Sequence, residues 1–293
     1  MPASALALVI LAGLIHACWN IAAKKTGGDV RFALFTGVLL MVVWAPVGIW
    51  ASWQQLHGWG WPEFAVVLVS GVLHVAYYLV LLRGYREADL TVVYPLARGS
   101  GPLLSSTAAI VFLGEELSAA GALGIAAVVG GVFLVAGGPG LFRAAHDPVR
   151  RQRVRAGVFY GFATGVFIAA YTVVDGWGVK SLGMSPILVD YLGNLVRLVI
   201  LIPLVAPVRA GLGAVWRSQW KAALLVAAIS PVSYVLVLYA MQVAPLSHVA
   251  PAREVSMLFA ALIGGHLLAE GDRVMRIVGA ACIAVGVMAL ATG

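Results

Sequence analysis

The chain has 293 residues, of which 62% are hydrophobic and only 11% are charged. Its mean hydropathy of +0.98 excludes a soluble enzyme, a disordered chain and a disulfide scaffold, because soluble domains carry about 25% charged residues. A net charge of +7 would suit nucleic acid, but the basic residues lie in short loops between apolar runs, as in membrane proteins.

Ten apolar runs are long enough to cross a bilayer as helices, which takes about 20 residues each. In chain order they cover residues 3–22, 31–51, 63–84, 91–113, 118–137, 156–174, 186–207, 219–241, 246–268 and 273–291. Membrane β-strands are shorter and alternate polar with apolar residues, so they are excluded. We predict an all-α polytopic membrane protein with ten transmembrane helices, which we call spans 1 to 10.

The two halves of the chain resemble each other across a polar stretch at 138–155. Seven positions recur 155 or 156 residues later: Tyr78 and Tyr234, Leu90 and Leu246, Pro95 and Pro251, Arg98 and Arg253, Glu115 and Glu270, Gly124 and Gly279, and Gly131 and Gly286. Because each unit has five spans, the second must be inserted upside down, as in the inverted repeats of secondary transporters. We predict a first repeat at 1–137, a basic cytoplasmic linker at 138–155 and a second repeat at 156–293.

The distribution of basic residues predicts the orientation in the membrane. Fifteen lysines and arginines fall in the odd-numbered loops, whereas only Lys180 falls in a loop on the other side. Because basic loops stay in the cytoplasm, both termini are predicted to lie outside a bacterial inner (plasma) membrane.

Ionisable side chains inside a span are costly and are therefore candidates for function. Arg98, Arg197 and Arg253 lie inside spans 4, 7 and 9, together with Asp190 and Glu254. Two interpretations are open. Either these groups line a balanced or net positive cavity for a substrate, or Arg253 pairs with Glu254 and Arg197 with Asp190 to hold the bundle together.

Polar and aromatic side chains recur at helical spacing on several other spans and are predicted to face the interior. They are His16 and Asn20 on span 1, His74, Tyr77 and Tyr78 on span 3, Tyr94 on span 4, Tyr171 on span 6, Asn194 on span 7 and Tyr234 on span 8. Thr164, Ile168 and Asp175 share the face of Tyr171. Such side chains either contact a ligand or bond a neighbouring helix, and His74 would also suit proton coupling.

Prolines interrupt spans 4 and 9. Pro95 and Pro251 lie near the first turns, and Pro102 lies near the middle of span 4. Prolines free backbone carbonyls and create bending points. We therefore assign coupling or gating roles to these prolines, Asp190 and Glu254, with a static kink as the alternative.

Motifs for a nucleophile, a metal ion or a phosphate-binding loop are not found in the sequence. Cys18 and Cys282 lie inside apolar runs and indicate no disulfide framework. We therefore predict neither an enzyme nor a cofactor.

The segment at 113–134 reads LGEELSAAGALGIAAVVGGVFL and resembles the EamA type of the drug/metabolite transporter (DMT) superfamily. A weaker echo at 268–287 reads LAEGDRVMRIVGAACIAVGV and is similar to the second EamA unit. The resemblance covers essentially the whole chain and implies a carrier with a central cavity, often one that exports amino acids or related metabolites. Span 1 lacks the acid with which the superfamily's small multidrug exporters exchange protons, and many relatives keep both termini in the cytoplasm.

We predict a secondary-active transporter, either an exporter or an exchanger, that works by alternating access. Its favoured substrates are amino acids, related zwitterions or organic anions. Its other partner is the lipid bilayer, not nucleic acid, and it acts as a monomer or homodimer. The alternatives are a multidrug or cation exporter of the same fold and, from another class, a non-transporting membrane sensor or an intramembrane enzyme.

Overall fold

A computed structural model describes residues 1–26, 29–88, 90–135, 138, 148–264 and 273–292, and every regular element in these ranges is helical. The α-helices are α1 (Ala3–Thr26), α2 (Val30–Val43), α3 (Ala45–Gln55), α4 (Trp61–Glu87), α5 (Leu90–Leu113), α6 (Ala119–Val135), α7 (Pro148–Ser181), α8 (Pro186–Val205), α9 (Leu212–Val243), α10 (Leu246–Ala252), α11 (Val255–Gly264) and α12 (Arg273–Thr292). Short 3₁₀ turns lie at Leu56–Gly58 and Ala206–Val208.

Six of the described helices, α1, α4, α5, α7, α8 and α9, are long and apolar enough to cross a membrane. The α2 and α3 helices form a seventh crossing if they count as one span, although they are bent by 63° at their junction. The other helices are shorter, and α10 and α11 would each cover at most about 15 Å at 1.5 Å per residue. All ten predicted runs coincide with a helix or a helix pair, but ten membrane crossings stay a prediction.

The α7 helix begins earlier than predicted. It starts at Pro148 and so includes the last part of the predicted linker at 138–155. Proline suits a first helical position, because its missing N–H would have no partner there. The arginines of this segment lower its hydropathy but do not prevent a helix. Because span 6 was predicted from its apolar run, its predicted start at 156 is later than the start of α7.

The α6 and α12 helices pack through direct backbone contact. A Cβ added to Gly131 would lie 2.6 Å from the carbonyl oxygen of Gly279, and one added to Gly124 would lie 2.9 Å from that of Gly286. Only glycine permits so close an approach. Residue numbers rise along one helix as they fall along the other, so these two repeat-matched helices run antiparallel.

The matched helices α5 and α10 also meet in opposite directions. Just beyond the end of α5, the carboxylate of Glu115 accepts hydrogen bonds from the backbone N–H groups of Leu246 and Ser247 at the start of α10, both at 2.8 Å. Lys180 pairs with the same carboxylate at 3.0 Å. Glu115 therefore caps α10, while its repeat mate Glu270 lies outside the described residues.

The cap determines the charge state of this carboxylate. Burial alone would raise the pKa of Glu115, but the two backbone donors and Lys180 outweigh burial and hold the pKa below its ordinary value. Glu115 therefore remains an acceptor at neutral pH.

The bundle has two ends. At the end that we call the termini end, the amino group of Met1 donates to the carbonyl oxygen of Ala291 at 2.9 Å, and Glu115 pairs with Lys180. At the opposite end, Arg31 donates to the carbonyl oxygen of Ala210 at 3.0 Å. The basic loops and the termini thus lie at different ends of the described bundle.

Candidate functional site

A break between α10 and α11 lies deep in the bundle and carries two charged residues, Arg253 and Glu254. Pro251 has no N–H to continue the helical ladder. Beyond it the backbone tightens, because the N–H of Glu254 donates to the Pro251 carbonyl at 3.0 Å and that of Ser256 to the Arg253 carbonyl at 3.2 Å. These three-residue turns are of the 3₁₀ type and separate the two short helices.

Arg98 reaches this break from the other half of the chain. Its Nη2 lies 2.9 Å from Glu254 Oε2 and donates to Ser256 Oγ at 2.7 Å. The other oxygen of Glu254 lies 3.8 Å from Arg253 Nε. Two guanidinium groups therefore converge on one carboxylate, and we call Arg98, Arg253 and Glu254 the arginine cluster.

The arginine cluster has a formal charge of +1 and spare hydrogen-bond donors. Within the described ranges, the buried Nε groups of Arg98 and Arg253 have no hydrogen-bond partner, and neither has Glu254 Oε2, although it lies close to Arg98 Nη2. A buried donor without an acceptor costs about 1–3 kcal/mol, and more when it is charged. The arrangement therefore favours a further acceptor, such as an anionic group, between the two arginines.

Arg197 lies in a second charged group, on α8. Its Nη2 is 3.8 Å from Asp190 Oδ1, and its Nε donates to the Gly193 carbonyl at 3.4 Å. Asn194 donates its side-chain N–H to the Asp190 carbonyl at 2.8 Å. Arg197 keeps 25% of its side chain exposed, so it is the most accessible of the three interior arginines.

Four ring side chains, His74, Tyr77, Tyr171 and Tyr234, form an aromatic layer contributed by α4, α7 and α9. The His74 ring stacks on Tyr171 at 3.8 Å between centroids, and Tyr234 meets His74 edge-on at 5.7 Å. Tyr77 meets Tyr171 edge-on at 5.9 Å. Tyr171 belongs to the same buried cluster as Ala97, the neighbour of Arg98, and lies within electrostatic range of Arg98 and Arg253, so the layer adjoins the arginine cluster.

Asp175 lies beside the aromatic layer. From the sequence it was placed on the face of Tyr171 but was not included among the candidate site residues. Its side chain is fully buried, and it accepts a short hydrogen bond from the Tyr234 hydroxyl. The apolar run of span 6 ended one residue before it, whereas α7 continues to Ser181. The signal that was available is the helical spacing that Asp175 shares with Tyr171.

The other predicted site residues divide into two groups. Asn20 donates to the Tyr94 hydroxyl at 3.4 Å, and His16 lies within electrostatic range of Arg98 and Arg253. These three residues, His16, Asn20 and Tyr94, thus adjoin the arginine cluster.

Tyr78 and two prolines are placed differently. The Tyr78 hydroxyl donates to the Asp29 carbonyl at 3.3 Å, near the end opposite the termini, so the structure does not bring it to the arginine cluster. Pro95 and Pro102 lie within α5 without ending it, whereas Pro251 directly precedes the break.

The two units of the chain match one family model, that of the EamA-like transporter family, over residues 3–137 and 155–292. The chain belongs to the EamA-like transporter family. Members of this family, which is part of the drug/metabolite transporter superfamily, are membrane transporters. Together with its apolar helices, membership makes the chain a multi-pass membrane protein.

The fold of this EamA-like protein is shared with solved structures. One crystal structure that is similar to it has 19% sequence identity and a TM-score of 0.73, and the match covers 100% of this chain and 97% of the other. At this identity the likeness concerns the fold alone. A comparison with curated proteins gives no significant match.

Proposed function

We propose that this EamA-like protein is a secondary-active transporter, an exporter or exchanger of small polar metabolites that carry a carboxylate or phosphonate. Amino acids, related zwitterions and organic anions form this class. One observation carries the proposal: Arg98 and Arg253 converge on the single acid Glu254 and leave buried N–H donors without acceptors.

The arginines would bind the acidic group of the substrate. A guanidinium presents paired N–H donors that match a carboxylate or phosphonate. An incoming anion would balance the +1 charge of the arginine cluster, accept from the spare Nε donors and compete with Glu254 for Arg98. The adjoining aromatic layer would contact the remainder of the substrate through ring faces and hydroxyl groups.

The same contacts would couple binding to movement. Arg98 belongs to the first half of the chain, whereas Glu254, Arg253 and Ser256 belong to the second. A substrate anion that takes the place of Glu254 beside Arg98 weakens a link between the halves, and a ligand shifts a conformational equilibrium only through such differential contacts. The break after Pro251 supplies a bending point for alternating access.

We further propose that ten spans form two inverted units, 1–137 and 156–293, around a central cavity. The antiparallel packing of α5 with α10 and of α6 with α12 supports this arrangement. The excess of basic residues at the end opposite the termini favours both termini outside a bacterial inner membrane. The protein would act there as a monomer or homodimer.

Counterflow in proteoliposomes at symmetric pH tests the proposal. The panel contains radiolabelled amino acids, aminophosphonates and cationic dyes, and the variants are Arg98→Ala and Arg83→Ala. Arg83 is a matched control because it pairs with Glu87 on α4 with 68% of its side chain exposed.

We expect exchange of an amino acid or aminophosphonate that Arg98→Ala abolishes and Arg83→Ala leaves intact. Exchange of cations alone would overturn the proposal and favour the multidrug alternative. Exchange of no compound in the panel, or equal exchange by Arg98→Ala and the wild-type protein, would also overturn it.

A further inference from the structure

We infer that Asp175 forms a second binding subsite, which takes a substrate ammonium group while the arginine cluster takes the acidic group. This inference rests on the proposed function, and it assigns Asp175 as the residue that makes the transporter require a positively charged group on its substrate.

Asp175 has spare capacity to accept a donor. One of its carboxylate oxygens accepts from the Tyr234 hydroxyl, whereas in the described part of the chain no donor bonds to Oδ1 with good geometry. The Ser70 hydroxyl is nearby and can donate to Asp175, because His74 Nδ1 donates to the Ser70 carbonyl oxygen at 2.9 Å and so does not accept from the hydroxyl. Two neutral O–H donors still leave part of the acceptor capacity of the carboxylate unused. A fully buried carboxylate with a free oxygen suits a group with several N–H donors, such as an ammonium.

The rings next to Asp175 suit a cation as well. Tyr171 lies one helical turn before Asp175 on α7 and stacks with His74, while Tyr234 both bonds Asp175 and meets the His74 ring edge-on. Aromatic faces attract cations through the ring quadrupole, most strongly where water is excluded.

Asp175 lies nearer the termini end than Arg98, and it is close enough to Arg253 of the arginine cluster for the two charges to interact. Asp175 lies six residues from the end of α7 at the termini end, or about 9 Å along the helix, whereas Arg98 lies fifteen residues, or about 22 Å, from the corresponding end of α5. Tyr171 lies between the two sites, because it is one turn from Asp175 and within electrostatic range of Arg98 and Arg253.

The charge balance of the interior favours the same class of ligand. The three interior arginines equal the three interior acids in number, but the arginine cluster keeps a charge of +1, while Asp175 forms no ion pair within the described residues. A zwitterion preserves that balance, whereas a lone anion or cation leaves an uncompensated charge in a medium where such a charge is expensive. Asp29, which pairs with Arg31 at 2.6 Å outside the aromatic layer and the arginine cluster, serves as the control.

The test uses the labelled amino acid that the wild-type protein exchanges and three unlabelled inhibitors of its counterflow. These are the same amino acid, its N-acetyl derivative, which lacks the cation, and the corresponding amine, which lacks the carboxylate. Asp175→Asn should reduce the preference for the amino acid over the N-acetyl derivative by about 10-fold or more, the equivalent of about 1.4 kcal/mol. Asp29→Asn should keep the wild-type preference, and Asp175→Glu, which retains the charge, should restore most of it.

Arg98→Ala serves as the crossed control, because it should instead reduce the preference for the amino acid over the amine. The inference fails, and the proposed function stands, if Asp175→Asn leaves the first preference unchanged while Arg98→Ala alters the second. It fails in the same way if the wild-type protein exchanges only anions without an amine. If Arg98→Ala alters neither preference, the proposed function itself fails.

Discussion

The α5 helix and the α10–α11 pair are matched elements of the two halves, yet one is continuous and the other is broken. Each begins at a leucine, and each has a proline at its sixth residue. Two residues then separate Pro95 from Arg98, but only one separates Pro251 from Arg253. The second half is thus one residue shorter at the place where its backbone tightens to three-residue turns and the helix breaks.

The break gives the two arginines different surroundings. Glu254 follows Arg253 at the break, whereas Gly99 follows Arg98 on α5. A single acid therefore lies between two arginines, and the cluster retains a charge of +1. An acid in each half would have neutralised both arginines and removed the reason to bind an anion. The proposed anion site thus lies at the place where one repeat departs from the other.

The largest expected effect is on the counterflow rate, which should fall further in Arg98→Ala than in Arg253→Ala. Arg98 contacts both Glu254 and Ser256 at less than 3 Å, whereas the contact of Arg253 with Glu254 is longer, at 3.8 Å. We expect Arg98→Ala to slow counterflow of the best panel substrate by about 100-fold or more, since breaking a buried ion pair costs about 3–5 kcal/mol. Arg253→Ala should slow it by about 10-fold, as for a single charged hydrogen bond. Equal losses in initial rate would contradict the comparison.

The next prediction compares two glycines, one that packs closely against α5 and one that packs closely against α11. A Cβ on Gly165 would meet Ser100 and lie 3.0 Å from the N–H nitrogen of Gly101 in α5, and one on Gly13 would lie 2.5 Å from a Val255 methyl group in α11. Because a continuous helix yields less readily than a broken one, Gly165→Ala should destabilise the protein by about 1–3 kcal/mol, typical of overpacking, and Gly13→Ala by less.

Thermal unfolding in detergent measures this difference. Gly130→Ala is the control, because a Cβ there meets nothing within 4 Å. A larger loss of melting temperature for Gly13→Ala than for Gly165→Ala would show that the broken element is the more rigid of the two.

A smaller effect concerns the cap that holds α10 in place. Glu115→Gln keeps the shape of the side chain but weakens its hydrogen bonds to Leu246 and Ser247, and the loss of a helix cap costs about 1 kcal/mol. The folded-state pKa of Glu115 is lowered, so its contribution to stability is present above the ordinary glutamate pKa and is lost as the pH falls through the folded-state pKa.

Melting temperatures of the wild-type protein and Glu115→Gln should therefore differ at neutral pH and converge under acid. A constant difference at every pH would contradict the role assigned to the ionised cap. Arg83→Ala, which alters an exposed pair on α4, supplies the control for general acid sensitivity.

The smallest expected effect is at Tyr94, which has no tyrosine counterpart in α10. Its hydroxyl accepts a long hydrogen bond of 3.4 Å from Asn20, and such a contact contributes at most about 0.5 kcal/mol. Tyr94→Phe should therefore change the half-saturation concentration for counterflow by less than about 3-fold. A larger loss would mean that the hydroxyl contacts the substrate.

The sequence predicted the membrane class, the positions of the helices and most of the polar faces, because these follow from local hydropathy and helical period. It also placed Arg98, Arg253 and Glu254 inside spans. It predicted a bending point at Pro251 but not the complete break between α10 and α11, because hydropathy carries no information on the backbone hydrogen-bond pattern. The sequence does contain one indication of the break: the spacing between matched residues of the two halves changes from 156 to 155 between Pro251 and Arg253.

Contacts between residues that are far apart in the sequence could not be predicted from hydropathy and helical period. Arg98 reaches Glu254 across 156 positions, and Glu115 caps a helix 131 residues away, but neither pairing leaves a local pattern. The end of span 6 was set by the apolar run, so Asp175 was left outside it. Tyr78 was grouped with the site from its helical face alone, and the face pattern does not reveal depth along the helix.

The most direct test of the arginine cluster as an anion site is the half-saturation concentration for counterflow in Glu254→Gln. This change removes the carboxylate that competes with the substrate for Arg98 and leaves the two arginines in need of an anion. The account predicts a half-saturation concentration lower by about 10-fold, equivalent to about 1.4 kcal/mol, in protein that elutes as the wild-type species on size exclusion. An unchanged or higher value would contradict the claim that substrate and Glu254 occupy the same place.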